Sequence, residues 1–434
     1  MRYFASYARL PGGIARDVVL EIDDGRFTSI TTDADPAGAT RLPGILLPGF
    51  ANAHSHAFHR ALRGRTHDGV GTFWTWRDPM YAVADRLDPD SYLALARATY
   101  AEMALAGVTA VGEFHYLHHG PNGARYADPN AMAEALRQAA RDAGIRLTLL
   151  DACYLTASIG DTDLAPTQRR FSDGGADAWA ERVAALRPSD GMTIGAAIHS
   201  VRAVPADQLG TVVEAAAHRP LHMHLSEQPA ENEACVAAYG LTPTALLDQV
   251  GALTPDSTVV HATHVTDADI ALLISSAPTV CMCPTTERDL ADGVGPARAL
   301  HSPRRTLSLG SDQHAVIDMF EEARGLELDD RLISLQRGRF SMDELHAAMT
   351  AHESIGWSDA GRLEAGARAD LVAVRLDTPR TAGTDPAQIV MAATSTDIDT
   401  VIVDGVPVVA AGRHRLGDVG MLLADAIDPL WIAS

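Results

Sequence analysis

The chain has 434 residues, 35 of them basic and 56 acidic, for a formal charge of −21. No lysine occurs, so every basic residue is an arginine. That excludes Schiff-base catalysis, a P-loop or kinase-type lysine, and a carboxylated lysine bridging two metals. The acidity also argues against nucleic acid as a partner, since non-specific binding depends on neutralising phosphates.

Hydrophobic residues make up 47% and charged ones 21%, the balance of a folded globular chain. Its length exceeds one average domain, so a large domain with a smaller companion is expected. Residues 1–46 read as short strands: Val18 to Ile22 is followed by Asp23-Asp24-Gly25, a turn signal, and then by Phe27 to Thr31. From about Ile45 short apolar runs alternate with helical stretches. The runs are Leu46 to Ala53, Thr109 to Phe114, Arg146 to Tyr154, Met192 to Ile198, Pro220 to Leu225, Ser257 to Ala262, Thr279 to Cys283 and Thr306 to Leu309. Most are continuously apolar, as strands buried on both faces of a parallel sheet are. Eight strand–helix units predict an α/β fold, a (β/α)8 TIM barrel over 47–358. A doubly wound open sheet is the alternative, but no glycine-rich fingerprint follows the early strands. Over 359–434 strands return: Ala369 to Val374, then Thr400 to Val403 and Val406 to Val409 flanking Asp404-Gly405, a hairpin signal. The two termini are expected to build one small β-sandwich domain. Cys153, Cys235, Cys281 and Cys283 are too few for a disulfide scaffold, and Cys281 and Cys283 read as alternate positions of a buried strand. The sequence shows no secretory leader and no apolar run of about 18 residues, so the expectation is a cytoplasmic protein without a membrane partner.

Chemical side chains cluster at the C-terminal ends of the expected barrel strands, where barrel enzymes place their sites. Asn52-Ala53-His54-Ser55-His56 ends strand one, and histidines at i and i+2 of a strand share a face. His222-Met223-His224-Leu225-Ser226-Glu227 ends strand five, and either histidine could be the ligand on spacing alone. His261-Ala262-Thr263-His264 ends strand six, and Gly310-Ser311-Asp312-Gln313-His314 ends strand eight. Any one of these groups is commonplace; four at one rim point to a metal site.

Together with Pro48-Gly49-Phe50, Phe73-Trp74-Thr75-Trp76-Arg77, Glu113-Phe114-His115-Tyr116, Gln168-Arg169-Arg170-Phe171 and His199-Ser200-Val201-Arg202, these motifs resemble the amidohydrolase superfamily. More narrowly, they resemble its formimidoylglutamate deiminases, over nearly the whole chain. The resemblance implies His54, His56, His224 and Asp312 as ligands of one divalent metal, zinc foremost, with iron or manganese compatible with the same ligand types. It implies Glu227 as proton shuttle, His261 at the reacting centre, and Asp312 as both ligand and base. It further implies His59, Arg77, Tyr116, His199 and Arg202 as contacts to a small dianionic amino-acid-derived substrate. A homodimer is implied as well. His59 departs from the family, where glutamine often stands. The expected reaction converts N-formimino-L-glutamate and water into N-formyl-L-glutamate and ammonia, in histidine degradation. The alternatives are deamination of a purine, pyrimidine or s-triazine ring, which favours stacking aromatics over paired arginines, and a non-catalytic metal-binding scaffold. Trp74 and Trp76 are expected on a lid between strands one and two, while His115, His118, His119 and His222 read as packing or loop histidines, and His314 as either support for the site or packing.

Overall fold

The computed structural model describes residues 1–67, 71, 73–302 and 307–432; of residues 73 and 74 only the backbone is described. Two sheets organise it. The first is built from β1 (Arg2–Leu10), β2 (Gly13–Asp23), β3 (Arg26–Thr31), β4 (Thr40–Arg41) and β5 (Ile45–Pro48). The second holds β6 (Phe50–Ser55), β7 (Val108–His115), β8 (Arg146–Cys153), β9 (Met192–Ile198), β10 (Leu221–Leu225), β11 (Ser257–His261), β12 (Thr279–Met282) and β13 (Ser308–Leu309). The chain then returns to the first sheet with β14 (Leu371–Val374), β15 (Ile398–Val403), β16 (Val406–Ala410) and β17 (Arg413–His414).

The second sheet is the expected barrel: β6 to β13 follow one another in chain order, each parallel to its neighbour. Thr306, read as the start of the last strand, lies outside the described residues. The first and last strands meet through the backbone of functional residues. Asp312 N–H donates to His54 O at 3.0 Å, and His56 N–H donates to Asp312 O at 3.1 Å. Asn52 adds side-chain bonds to Ser311 across the same seam. The opposite end is plugged by the segment His352–Ile355. Ser354 O accepts from Thr258 and lies 2.9 Å from His222 Nε2, while Ile355 O accepts from Thr148. The barrel interior is therefore packed, and its open end is the rim that carries the histidines.

The terminal strands form one continuous nine-stranded sheet, with β5 joining the N-terminal strands to β14. Two of its hairpin turns follow their sequence signals. Asp24 and Gly25, and likewise Asp404 and Gly405, all have positive φ, as a two-residue type I′ turn demands. One face packs Leu20, Phe27, Leu46 and Leu371 into a core of its own; the other joins the barrel's core through residues such as Leu47, Val372 and Val401. The helix Val419–Ile427 then leaves the sheet and packs on the barrel's helices.

The single apolar run read from Leu46 to Ala53 is two strands. Ile45–Pro48 belongs to the small sheet and Phe50–Ser55 to the barrel. Gly49 makes the transfer possible: a Cβ there would stand 2.4 Å from the Thr109 side chain. Gly49→Ala is expected to destabilise the fold by about 1–3 kcal/mol through this overlap. A lower denaturant midpoint at unchanged slope would register it.

Candidate active site

The rim is built by strands that turn sharply as they end. Ser226, His261, Ala262, Asp312 and His314 all have left-handed backbone, unusual for residues other than glycine. Such strain collects at sites where it aims side chains, at about 1–3 kcal/mol each.

Three histidines and Asp312 converge. His54 Nε2 lies 3.0 Å from His224 Nε2 and 3.5 Å from Asp312 Oδ1, and His56 Nε2 lies 3.4 Å from the same oxygen. Donors about 2.0–2.1 Å from a shared cation stand roughly 3.0 Å apart at right angles and 3.4 Å apart at tetrahedral angles. The measured 3.0 and 3.4 Å fall in that interval, and the 3.5 Å lies just beyond it. The tautomers fit too. His56 Nδ1 is 2.9 Å from Phe114 O and His224 Nδ1 is 2.8 Å from His199 O, so each Nδ1–H donates to a carbonyl and each Nε2 lone pair faces the centre. Burial, opposed chiefly by Asp312, holds His54 down to about 3, and burial likewise lowers His56 and His224. All three are thus neutral ligands at pH 7. Asp312 is held far below the usual carboxylate range: its burial works the other way but is outweighed by the surrounding histidines. The donor set fits one divalent cation.

Glu227 and His261 stand beside it. His261 Nε2 is 3.7 Å from Glu227 Oε1 and 3.7 Å from Asp312 Oδ2. Burial disfavours a charged ring at His261, yet Glu227, the hydrogen-bonded Glu287 and Asp312 together raise it to about 10. Glu227 itself is pushed up, first by burial, with His261 and Arg202 opposing.

His59, Arg77, Tyr116, His199 and Arg202 all line one pocket with His56, His224, Glu227 and Asp312. His59 Nε2 lies 2.7 Å from Tyr116 Oη. Arg77 is carried by α1 (Phe73–Arg86), which also brings Trp76 and Tyr81 to the pocket wall, and its guanidinium lies 5.5 Å from the Tyr81 ring centre. The side chain of Trp74, expected on the same lid, is outside the described residues. Arg202 does more than face the pocket. Its Nη2 is 3.2 Å from Glu227 Oε2 and its Nε is 3.3 Å from Glu231 Oε2, so it ties the pocket wall to both carboxylates.

The remaining histidines divide cleanly. His222 sits one layer below His224, against the plug. His314 lies within 3.2 Å of Ser55 Oγ and 2.9 Å of Ser311 Oγ, supporting the seam behind Asp312. His115, His118 and Asp151 form a second buried histidine–carboxylate group, but Arg182 bonds both oxygens of Asp151 and Trp179 adds a third bond. Its carboxylate is thus already engaged in an ion-pair network.

The sequence reading passed over Glu231, Glu287, Tyr81 and Tyr154. Glu287 and Tyr154 were within its reach, because Glu287 follows β12 by five residues and Tyr154 directly follows β8, both at the catalytic rim.

Comparison with known proteins agrees with this geometry. The model of the Amidohydrolase family matches residues 45–408. The chain belongs to the amidohydrolase family. It is 37% identical over 432 residues to the formimidoylglutamate deiminase of Pseudomonas aeruginosa, covering 95% of each chain. It is 29% identical over 406 residues to a 5-methylthioadenosine/S-adenosylhomocysteine deaminase of Halobacterium salinarum, covering 90% of this chain and 87% of that one. The crystal structure of an amidohydrolase from Brucella melitensis superposes with a TM-score of 0.91 at 31% identity, covering 99% of this chain and 100% of that one. As an amidohydrolase similar to formimidoylglutamate deiminases, the chain is a hydrolase of an amidine carbon–nitrogen bond. Among the described residues no helix is long and apolar enough to cross a membrane.

Proposed function

We propose that this amidohydrolase converts N-formimino-L-glutamate and water into N-formyl-L-glutamate and ammonia. The observation that carries the reading is one pocket lined both by the ligand residues His56, His224 and Asp312 and by Arg77 and Arg202. A dicarboxylate entering a protein of charge −21 needs such local cations, and a guanidinium can pair both oxygens of a carboxylate. The relative from P. aeruginosa supports the same substrate.

In this reading His54, His56, His224 and Asp312 hold the cation, and three imidazoles with one carboxylate suit zinc. When bound, zinc lowers the pKa of a coordinated water to about 7 and polarises the reacting group. The chain's own residues then move protons. Asp312 takes one from the attacking water, Oδ2 being the oxygen turned toward His261. Attack makes the formimino carbon tetrahedral. Glu227 delivers a proton to its terminal nitrogen, the adduct's remaining hydroxyl proton reaches the same nitrogen as the carbonyl forms, and ammonia leaves while the proton held by Asp312 restores Glu227. His261 Nε2, facing both carboxylates, orients the centre. Tyr116, His59 and His199 supply neutral hydrogen-bonding groups around the substrate, and Arg77 and Arg202 bind its carboxylates.

Steady-state ammonia release from N-formimino-L-glutamate, on zinc-replete protein, tests the proposal. Turnover well above an Asp312→Asn control is expected. Faster release from a purine or pyrimidine than from the formimino compound would overturn the substrate assignment. Arg77→Met is expected to raise KM by about 10–10²-fold, the loss of a charged hydrogen bond of about 1.5–3 kcal/mol, with kcat and metal content unchanged.

A further inference from the structure

Behind His261 stands a carboxylate that the proposed reaction leaves without a part. Glu287 lies on the short helix Pro284–Asp289, its side chain buried at the end of β12. Its Oε1 accepts the Cys283 N–H at 2.9 Å and lies 3.3 Å from His261 Nδ1. The helix holds it from behind, because the Glu287 carbonyl accepts the Asp292 N–H at 2.9 Å. The same oxygen faces a backbone donor and the ring nitrogen, so Nδ1–H donates to it. The opposite ring nitrogen, Nε2, is buried without a hydrogen-bond partner and points at Glu227 and Asp312.

The backbone alone does not set this orientation. His261 and Ala262 are both left-handed, at φ 71° and 50°, which swings the ring into the rim but leaves it free to turn about its own axis. Glu287 is the group that removes this freedom. A carboxylate that fixes a histidine's orientation from behind is a recurrent solution in hydrolases.

We propose that Glu287 is a positioning residue. It accepts from His261 Nδ1–H and so holds the ring with Nε2 facing Glu227, Asp312 and the amidine being hydrolysed. The proposal rests on the deimination reading for the identity of that amidine, but not for the state of the ring.

Two measurements test it. In the first, Glu287→Ala is expected to lower kcat for N-formimino-L-glutamate by about 10²-fold, with KM within a few-fold and metal content unchanged. Glu287→Gln, whose amide oxygen still accepts from Cys283 and from Nδ1–H, should recover part of the loss. In a His261→Ala background neither change should lower kcat further, since residues acting as one unit are not additive. An undiminished loss in that background, or loss of metal, would mean that Glu287 serves only the fold and would overturn the proposal. The second measurement needs no substrate. Side-chain ¹⁵N spectra, with the His261 signals among the 18 histidines assigned by their absence in His261→Ala, should show a hydrogen-bonded Nδ1–H in the parent and a shifted Nδ1 resonance in Glu287→Ala. An unchanged ring spectrum would also overturn it. A parent that releases no ammonia from the formimino compound would defeat the deimination reading, while the ring spectra would still decide the role of Glu287.

Discussion

Glu227→Gln is expected to lower kcat by about 10²–10⁴-fold while KM and bound metal stay near their parent values. The reasoning starts from where Glu227 lies. It is buried beside His261, with Arg202 Nη2 3.2 Å from one oxygen and His261 Nε2 3.7 Å from the other. Burial pushes its carboxyl up from the ordinary value, with His261 and Arg202 opposing, which suits a group that must carry a proton to the substrate. Glutamine keeps the size and can still accept from Arg202, but it has no proton to transfer. The ligand set of His54, His56, His224 and Asp312 is untouched, so metal analysis should give parent stoichiometry. The split between kcat and KM carries the argument: a residue that only shaped the pocket would show itself in KM. A kcat within tenfold of the parent, at full metal occupancy, would take the shuttle role away from Glu227.

Much of this site was legible because a parallel barrel concentrates chemistry at one end of every strand. His54 and His56, two apart on an extended segment, had to share a face, and Asp312 directly after an apolar run had to stand at the same rim. What spacing could not decide was which histidine of the His222–His224 pair faces the metal. Both point inward, and depth decides between them: the plug at Ser354 claims His222 and leaves His224 for the cation. Register also hid the boundary at Gly49, since two strands of different sheets run on without a polar residue between them. Arg202 was legible as a cation near the pocket, and Pro229 with Glu231 in the first turn announces the helix that follows, but the pairing of Arg202 with Glu227 and Glu231 is a tertiary contact that no spacing fixes. Glu287 escaped because Cys281 and Cys283 drew the reading to the strand and away from the residues that follow it.

The second large effect concerns how the small sheet is fixed to the barrel. Asp370→Ala is expected to destabilise the protein by about 3–5 kcal/mol, because removing one partner leaves a buried charge without compensation. Arg146 opens β8 and is fully buried, and it forms a two-pronged pair with Asp370, which immediately precedes β14. Asp404 Oδ1 is 3.1 Å from the same guanidinium and offsets part of the loss, which places the expected value at the lower end of that range. The Asp370 carbonyl accepts Gly49 N–H at 3.2 Å, so the pair lies beside the junction from which β6 runs up to His54. Burial alone would raise the Asp370 carboxyl, but Arg146 overrides it and holds it below the usual carboxylate range. A depressed carboxyl stabilises the fold in full above its unfolded pKa of about 3.9, and that contribution is lost as the pH falls through the folded value. The stability gap between parent and Asp370→Ala should therefore be widest near neutrality and narrow below about pH 4. The double replacement Arg146→Met with Asp370→Leu should restore much of the loss, since an apolar pair of similar volume carries no desolvation cost. Denaturant titrations of the three proteins at pH 7 and pH 4 would decide the matter. A double variant no more stable than Asp370→Ala would show that the geometry of the pair, and not its uncompensated charge, holds the sheet to the barrel.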